Sequence, residues 1–148
     1  MQATQAVTIL LVEDNPDHAM LTMRALKDGN LLNKVCWVKD GAEALDFLYH
    51  RGQYADVTQA PRPGLILLDI KLPKVDGHEV LRQIKSDASL RSIPTVMLTT
   101  SSQEDEVSHC YAAGANSYVS KPIRFGAFVE KIKAVKLYWT LTSMLPEA

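Results

Sequence analysis

Five short apolar runs recur along this chain of 148 residues, and segments with helical patterning separate them. Each run is four to six residues long, rich in Val, Ile, Leu or aromatic residues, and nearly continuous rather than alternating. Strands that are buried on both faces of a parallel sheet have this appearance. The sequence therefore predicts an α/β fold, a doubly wound (βα)5 sandwich around a five-stranded parallel sheet. The predicted strands are residues 7–12, 34–38, 65–69, 95–100 and 117–120.

Helix signals fill the intervals between these strands. Asn15 and Pro16 have the residue types of an N-cap and a first helical position, and Gly29 marks the end of that helix. Asp40 and Glu43 have the spacing of a capping box before a second helix. The other predicted helices are marked by the apolar face Val80, Leu81 and Ile84, by Ser102 with Asp105, and by the segment from Arg124 onward.

Composition and charge favour one globular domain, residues 1–148, and exclude several classes of protein. The chain is 47% hydrophobic and 22% charged with a formal net charge of -1, so it lacks the basic surface of a nucleic-acid-binding protein. Its apolar runs are too short to span a membrane, and its N-terminus lacks the features of a secretion signal. Cys36 and Cys110 have no metal-binding spacing, which is typical of reduced thiols in a cytoplasmic protein.

Polar residues follow four of the predicted strands. Glu13 and Asp14 end the first, Asp69 the third and Thr99 the fourth, while Lys121 follows the fifth. Ligands of open parallel sheets bind outside the carboxyl ends of the strands, so these side chains are expected to meet in one crevice. A buried carboxylate without a partner costs several kcal/mol, which favours a cation beside Asp69. Each residue alone also has an ordinary structural explanation, as a helix cap, a strand residue or a solvated lysine.

The expected set of side chains suits phosphoryl transfer. Three like-charged carboxylates need a cation, and without His or Cys ligands a hard divalent ion fits, with Mg²⁺ the natural choice and Mn²⁺ able to substitute. The main-chain carbonyl of Lys71 is a further candidate ligand. Asp69 can attack phosphorus and form an acyl phosphate, whose oxygens Thr99 and Lys121 can bind.

The segments ILLVEDN, LLDIKLPKVDG, MLTTSS and AGANSYVSKP resemble the receiver domain of two-component response regulators over nearly the whole chain. The resemblance implies a flavodoxin-like receiver fold, in which a sensor histidine kinase phosphorylates Asp69. It implies further that phosphorylation shifts the population toward a conformer in which Thr99 moves and Tyr118 swings inward, although Tyr118 can also be an ordinary surface aromatic. The other implied roles are Mg²⁺ binding by Glu13, Asp14, Asp69 and the Lys71 carbonyl, phosphoryl binding by Thr99 and Lys121, and a cis peptide between Lys121 and Pro122.

Two segments resemble the single-domain receivers that partner phytochrome-type light-sensing kinases. One is the long connection YHRGQYADVTQAPRPG, and the other is the C-terminal KAVKLYWTLTSMLPEA, after which we expect no fused output domain. The C-terminal segment, with an extended tail at about 137–148, is apolar on two sides and needs a second surface to bury. We expect a homodimer or docking on the kinase, and a tail that folds back on its own domain is the alternative. The candidate interface residues are Leu137, Trp139, Leu141, Met144 and Leu145.

Other functions stay open at this level. The chain can be a phosphorelay intermediate that passes the phosphoryl group to a histidine phosphotransfer protein, or a receiver that signals without phosphate. A phosphatase with an Asp nucleophile would need a second Asp two positions on, where this chain has Lys71. A flavodoxin-like cofactor binder would need a small, hydroxyl-rich loop where this chain has the acidic EDNPD. We expect no enzymatic activity beyond phosphorylation and dephosphorylation of Asp69.

Overall fold

A parallel sheet of five strands forms the centre of the molecule, in the order β2-β1-β3-β4-β5. The computed structural model describes residues 8–28, 34–99, 114–115 and 117–120. Every neighbouring pair of strands is parallel, and the predicted doubly wound α/β fold is confirmed. The strands are β1 Ile9–Val12, β2 Val35–Val38, β3 Leu65–Asp69, β4 Thr95–Thr99 and β5 Ser117–Ser120.

Three helices follow the first three strands: α1 Pro16–Asp28, α2 Gly41–Tyr49 and α3 Gly77–Ser86. Each begins after a side chain that accepts hydrogen bonds from the first turn, as the N-cap pattern predicts. The predicted fourth and fifth helices lie outside the described residues. Within the described ranges, no helix is long and apolar enough to cross a membrane. The capping side chains accept from these amides: Asn15 from Asp17 (2.9 Å), Asp40 from Glu43 (2.7 Å) and Asp76 from Glu79 (3.0 Å).

Apolar side chains cover both faces of the sheet, which explains why the strand sequences are nearly continuous in apolar residues. Alternate strand residues, among them Leu10, Ile66 and Met97, pack on one face with α2 and α3. The residues between them, among them Leu11 and Leu67, pack on the other face with α1. All of these strand residues have no exposed surface. The sheet therefore places its strand ends, and whatever polar residues follow them, at a fixed edge.

The long connection between α2 and β3 is fastened to α2. It begins at His50, which has a left-handed conformation (φ 56), and contains two 3-10 turns, Gly52–Tyr54 and Val57–Gln59. The Tyr54 hydroxyl donates to Glu43 Oε2 at 2.6 Å, and its ring contacts Phe47 edge to face at 5.1 Å. Burial, and then the hydrogen bond to Glu43, raise the pKa of Tyr54. The connection is thus an ordered part of the domain beside the first turn of α2.

Candidate functional site

Three carboxylates meet at the carboxyl edge of the sheet. One oxygen each of Glu13, Asp14 and Asp69 lies within 4.8 Å of the other two. Residues 12 and 68 are paired across β1 and β3, so the acidic residues that follow lie on adjacent strands at the same height. Glu13 has no exposed surface and Asp69 is 7% exposed, whereas Asp14 is exposed. The structure therefore brings together the three carboxylates that the sequence analysis selected.

The donor set fits a hard divalent cation. Within the described residues, the group of three consists of carboxylates and contains no His or Cys ligand. Carboxylate oxygens are the ligands of Mg²⁺ and Mn²⁺, whereas structural zinc sites favour sulfur and imidazole nitrogen. Two of the carboxylates are largely buried, where their mutual repulsion is poorly screened. A bound divalent cation would neutralise this repulsion.

The end of β1 is held by contacts to β2 and to the start of α1. The Glu13 amide donates to the Val38 carbonyl at 3.0 Å, and Trp37 Nε1 donates to the Glu13 carbonyl at 2.7 Å. The Asn15 amide donates to Glu13 Oε2 at 3.2 Å, and His18 Nδ1 lies 3.9 Å from the same oxygen. Main chain and side chain of Glu13 are therefore both fixed in position.

The loop from β3 to α3 forms the second wall of the site. Lys71 lies in this loop, two residues after Asp69, and its side chain is exposed. The Gly77 amide donates to the Ile70 carbonyl at 2.8 Å, and a Cβ at position 77 would overlap the Asp69 carbonyl and the Ile70 backbone. Glycine is therefore required for the start of α3 to approach this close. The loop opens onto a crevice lined by Asp14, Ile70, Lys71, Leu72, Pro73, Asp76 and His78.

The tip of the same loop rests against the start of α2. Lys74 has a left-handed conformation (φ 68), and the Val75 amide donates to the Pro73 carbonyl at 2.8 Å. Lys74 Nζ lies 3.6 Å from Oδ2 of Asp40, which is the residue that caps α2. A Cβ on Gly41 would overlap the Val75 carbonyl, so this close contact also depends on a glycine. The tip of the loop thus contacts the N-terminus of α2, and the loop ends at the N-terminus of α3.

The remaining predicted site residues divide into two groups. Thr99 ends β4 and is 4% exposed; since Asp69 pairs with Leu98, Thr99 lies one residue farther along the adjacent strand. Tyr118 lies in β5, paired with Met97. The predictions for the C-terminal segment lie outside the described residues, as do those for Lys121, Pro122, Leu137, Trp139, Leu141, Met144 and Leu145.

Sequence reasoning missed several residues that shape the site. The indole of Trp37 and the ion pair between Lys74 and Asp40 join residues far apart in the sequence, and no local pattern indicates them. The cap of α3 did carry a signal, because Asp76 precedes Glu79 by the same three residues that separate Asp40 from Glu43.

Comparison with known proteins gives a consistent result. Residues 9–133 match the model of the response regulator receiver domain. The chain is 44% identical over 140 residues to the probable methanogenesis regulatory protein FilR2 of Methanothrix harundinacea, covering 94% of this chain and 87% of that protein. It is 39% identical over 140 residues to the response regulator Rcp1 of Synechocystis, covering 95% and 93%.

Solved structures agree with the sequence matches. The bacteriophytochrome response regulator AtBRR superposes with a TM-score of 0.85 at 43% identity, covering 97% of this chain and 99% of that one. The Mn²⁺-bound form of response regulator Rcp1 superposes with a TM-score of 0.74 at 38% identity, covering 95% and 99%. That protein therefore holds a divalent cation in a fold shared with this chain.

Proposed function

Because this chain belongs to the response regulator receiver family, we propose that it accepts a phosphoryl group on Asp69 from a sensor histidine kinase. The observation that carries this assignment is the group of Glu13, Asp14 and Asp69, whose oxygens lie within 4.8 Å of one another at the end of β1 and β3. Only Asp69 of the three is the last residue of a buried strand, and the two residues after it, Ile70 and Lys71, line the crevice.

The chain's own residues supply most of the chemistry. An Asp69 oxygen attacks the phosphorus of a phosphohistidine; an O–P bond forms, the N–P bond breaks, and the electron pair returns to the imidazole of the kinase. Asp69 is held for this attack by its place in β3 and by the contact of Gly77 with its carbonyl. We assign hydrogen bonding to the phosphoryl oxygens to Thr99 and charge neutralisation to Lys121.

We assign Mg²⁺ to the carboxylates of Glu13, Asp14 and Asp69 and to the carbonyl of Lys71. When bound, the ion neutralises the charge of the carboxylates and of the incoming phosphoryl group. Support comes from the oxygen-only donor set and from the Mn²⁺ of the similar Rcp1 structure.

The receiver assignment predicts a direct labelling experiment. Incubation with acetyl phosphate and Mg²⁺ should add the mass of one phosphoryl group to the intact chain, and EDTA should prevent the addition. Asp69→Asn should remain unlabelled, whereas Asp46→Asn, an exposed carboxylate on α2, should be labelled like the wild type. Labelling that persists in Asp69→Asn would contradict the assignment. Hydrolysis of a generic phosphate ester with repeated turnover would instead support the phosphatase alternative.

We infer that the kinase partner is of the phytochrome type. The similarity to AtBRR and Rcp1 supports this pairing. FilR2, whose name refers to methanogenesis, is similar to this chain at a comparable identity, so identity alone does not select the partner. Phosphotransfer profiling against purified histidine kinases tests the pairing: a light-responsive kinase should label the chain fastest, and a faster unrelated kinase would refute it.

We propose that residues 1–148 act as one cytoplasmic receiver domain and that the segment 137–148 joins two copies or docks on the kinase. Its apolar residues on two sides of a predicted helix support this role. Light scattering of a chain that ends at Lys136 should give half the mass of the full chain. An unchanged mass would rule out the dimer through this segment. Transfer of label from the phosphorylated chain to a histidine phosphotransfer protein would place it within a phosphorelay.

A further inference from the structure

One side chain from β2 reaches the backbone of the acidic site. Trp37 Nε1 donates to the Glu13 carbonyl at 2.7 Å. Trp37 is paired with Leu11 in the sheet, and its half-buried ring packs with Met23 and Val35 against the apolar cluster under α1. The indole N–H thus extends two residues beyond its strand partner, past the last residue of β1.

This hydrogen bond fixes the peptide unit that carries Asp14. A peptide unit is planar, so the Glu13 carbonyl, the Asp14 nitrogen and the Asp14 Cα move as one body. The preceding peptide unit is held by the Glu13 amide, which donates to the Val38 carbonyl at 3.0 Å. The following one is held by the Asn15 amide, which donates to Glu13 Oε2 at 3.2 Å. Trp37 supplies the anchor of the middle unit.

Asp14 depends on such an anchor more than its neighbours do. Glu13 and Asp69 are buried, so packing limits where their carboxylates can lie. The Asp14 side chain is exposed, and the other two carboxylates, whose oxygens lie within 4.8 Å of its own, repel it. The position of its carboxylate is therefore set mainly by the direction in which the backbone leaves β1.

We propose that Trp37 is a positioning residue for the divalent cation site, acting through its hydrogen bond to the Glu13 carbonyl. The inference rests on the proposed function, because it takes Glu13 and Asp14 as cation ligands. Groups outside the ligand shell that orient ligands typically change metal affinity by about 10- to 100-fold when they are removed. An anchor that acts through the main chain belongs at the lower end of that range.

The test removes the donor while keeping the ring. Position 37 receives benzothienylalanine, which replaces the indole N–H by sulfur and preserves the shape of the side chain. Val35→Ala is the matched control, since Val35 packs in the same cluster from the same strand. Binding of Mn²⁺ alone is measured from the electron paramagnetic resonance signal of the free ion. Mg²⁺-dependent labelling by acetyl phosphate is measured alongside.

The proposal requires that the sulfur analogue bind Mn²⁺ about tenfold more weakly, with Val35→Ala unchanged. Labelling of the analogue should need more Mg²⁺ but reach the wild-type endpoint at saturation. Equal Mn²⁺ affinity of analogue and wild type would overturn the role of Trp37 and leave the proposed function standing. Failure of the wild type to bind Mn²⁺, or equal binding by Asp14→Asn, would overturn the cation site itself.

A measurement on the unsubstituted position 37 covers the case in which the analogue does not fold. In a Trp139→Phe background, the indole N–H of Trp37 gives a single signal in proton–nitrogen correlation spectra. Titration with Mg²⁺ should shift this signal with the same midpoint as the signals of the Glu13 and Asp14 amides. An indole signal that stays fixed while those amides shift would overturn the proposal.

Discussion

Neutralising Asp14 should stabilise the metal-free protein. The carboxylate oxygens of Asp14, Glu13 and Asp69 lie within 4.8 Å of one another. Two unit charges at that separation repel by about 0.9 kcal/mol at the dielectric constant of water, and by about 3.5 kcal/mol at an effective value of about 20. Asp14 is exposed, so the lower figure applies to each of its two pairs. We therefore expect Asp14→Asn to raise the free energy of unfolding by about 2 kcal/mol in EDTA.

Divalent cation should remove most of that gain. A ligand at about ten times its Kd stabilises the native state by about 1.4 kcal/mol. The wild type receives this stabilisation from Mg²⁺, whereas Asp14→Asn has lost a ligand and receives little of it. The difference between the two proteins should thus shrink to about 0.5 kcal/mol. Urea unfolding with EDTA and with MgCl₂, at matched ionic strength, measures both values.

Asp17→Asn is the matched control for this experiment. Asp17 is exposed, undergoes the same chemical change and lies in the first turn of α1, outside the group of three. A carboxylate there interacts favourably with the helix N-terminus, so its loss should cost about 0.3–1 kcal/mol with or without Mg²⁺. The two substitutions should therefore have opposite signs in EDTA. If Asp14→Asn destabilises the metal-free chain, or if Mg²⁺ leaves its gain unchanged, the electrostatic account of the site is wrong.

Three further predictions concern the surroundings of the site. Gly77→Ala should lower the free energy of unfolding by about 1–3 kcal/mol in chemical denaturation, since its Cβ would overlap the Asp69 carbonyl. Hydrogen bonding from Arg82, and then from Gln83, lowers the pKa of Glu79 from 4.5 to about 2, so the folded state binds fewer protons there than the unfolded state. Arg82→Ala should therefore lower the free energy of unfolding by its full amount above pH 4.5, and its difference from the wild type should vanish as pH falls toward 2. Acid unfolding of the two proteins measures this difference. Burial raises the pKa of the Cys36 thiol, so in a Cys110→Ser chain iodoacetamide should modify it more slowly at pH 8 than after unfolding in urea.

The sequence predicted best where one local pattern decides the structure. All five residues of β3 are buried, so the LILLD run is recognisable without knowledge of its neighbours. Capping side chains likewise act within a few residues, and Asn15 and Asp40 cap the helices they were expected to cap. The family resemblance is confirmed by the match to the receiver domain. The predicted roles of Lys121, Tyr118 and the C-terminal segment stay predictions.

Contacts that depend on strand order could not be predicted from local sequence patterns. Trp37 reaches the Glu13 carbonyl because β2 lies beside β1 and the indole extends past the end of that strand. Nothing in the local alternation of residues indicates which side chain will pass the end of a neighbouring strand. The capping box at α2 also differs from the expected pattern. Glu43 accepts a hydrogen bond from the Lys39 amide at 2.8 Å, and not from the Asp40 amide, which is the usual partner in a capping box.

The strand order also governs how the nascent chain assembles. β1 is made first but lies between β2 and β3, and β3 begins only at Leu65. A ribosome adds about 5–20 residues each second, so the edge of β1 that pairs with β3 stays unpaired for several seconds. During that interval an apolar strand edge is available to other chains. Codon choice between β1 and β3 should therefore influence how much of the newly made protein aggregates.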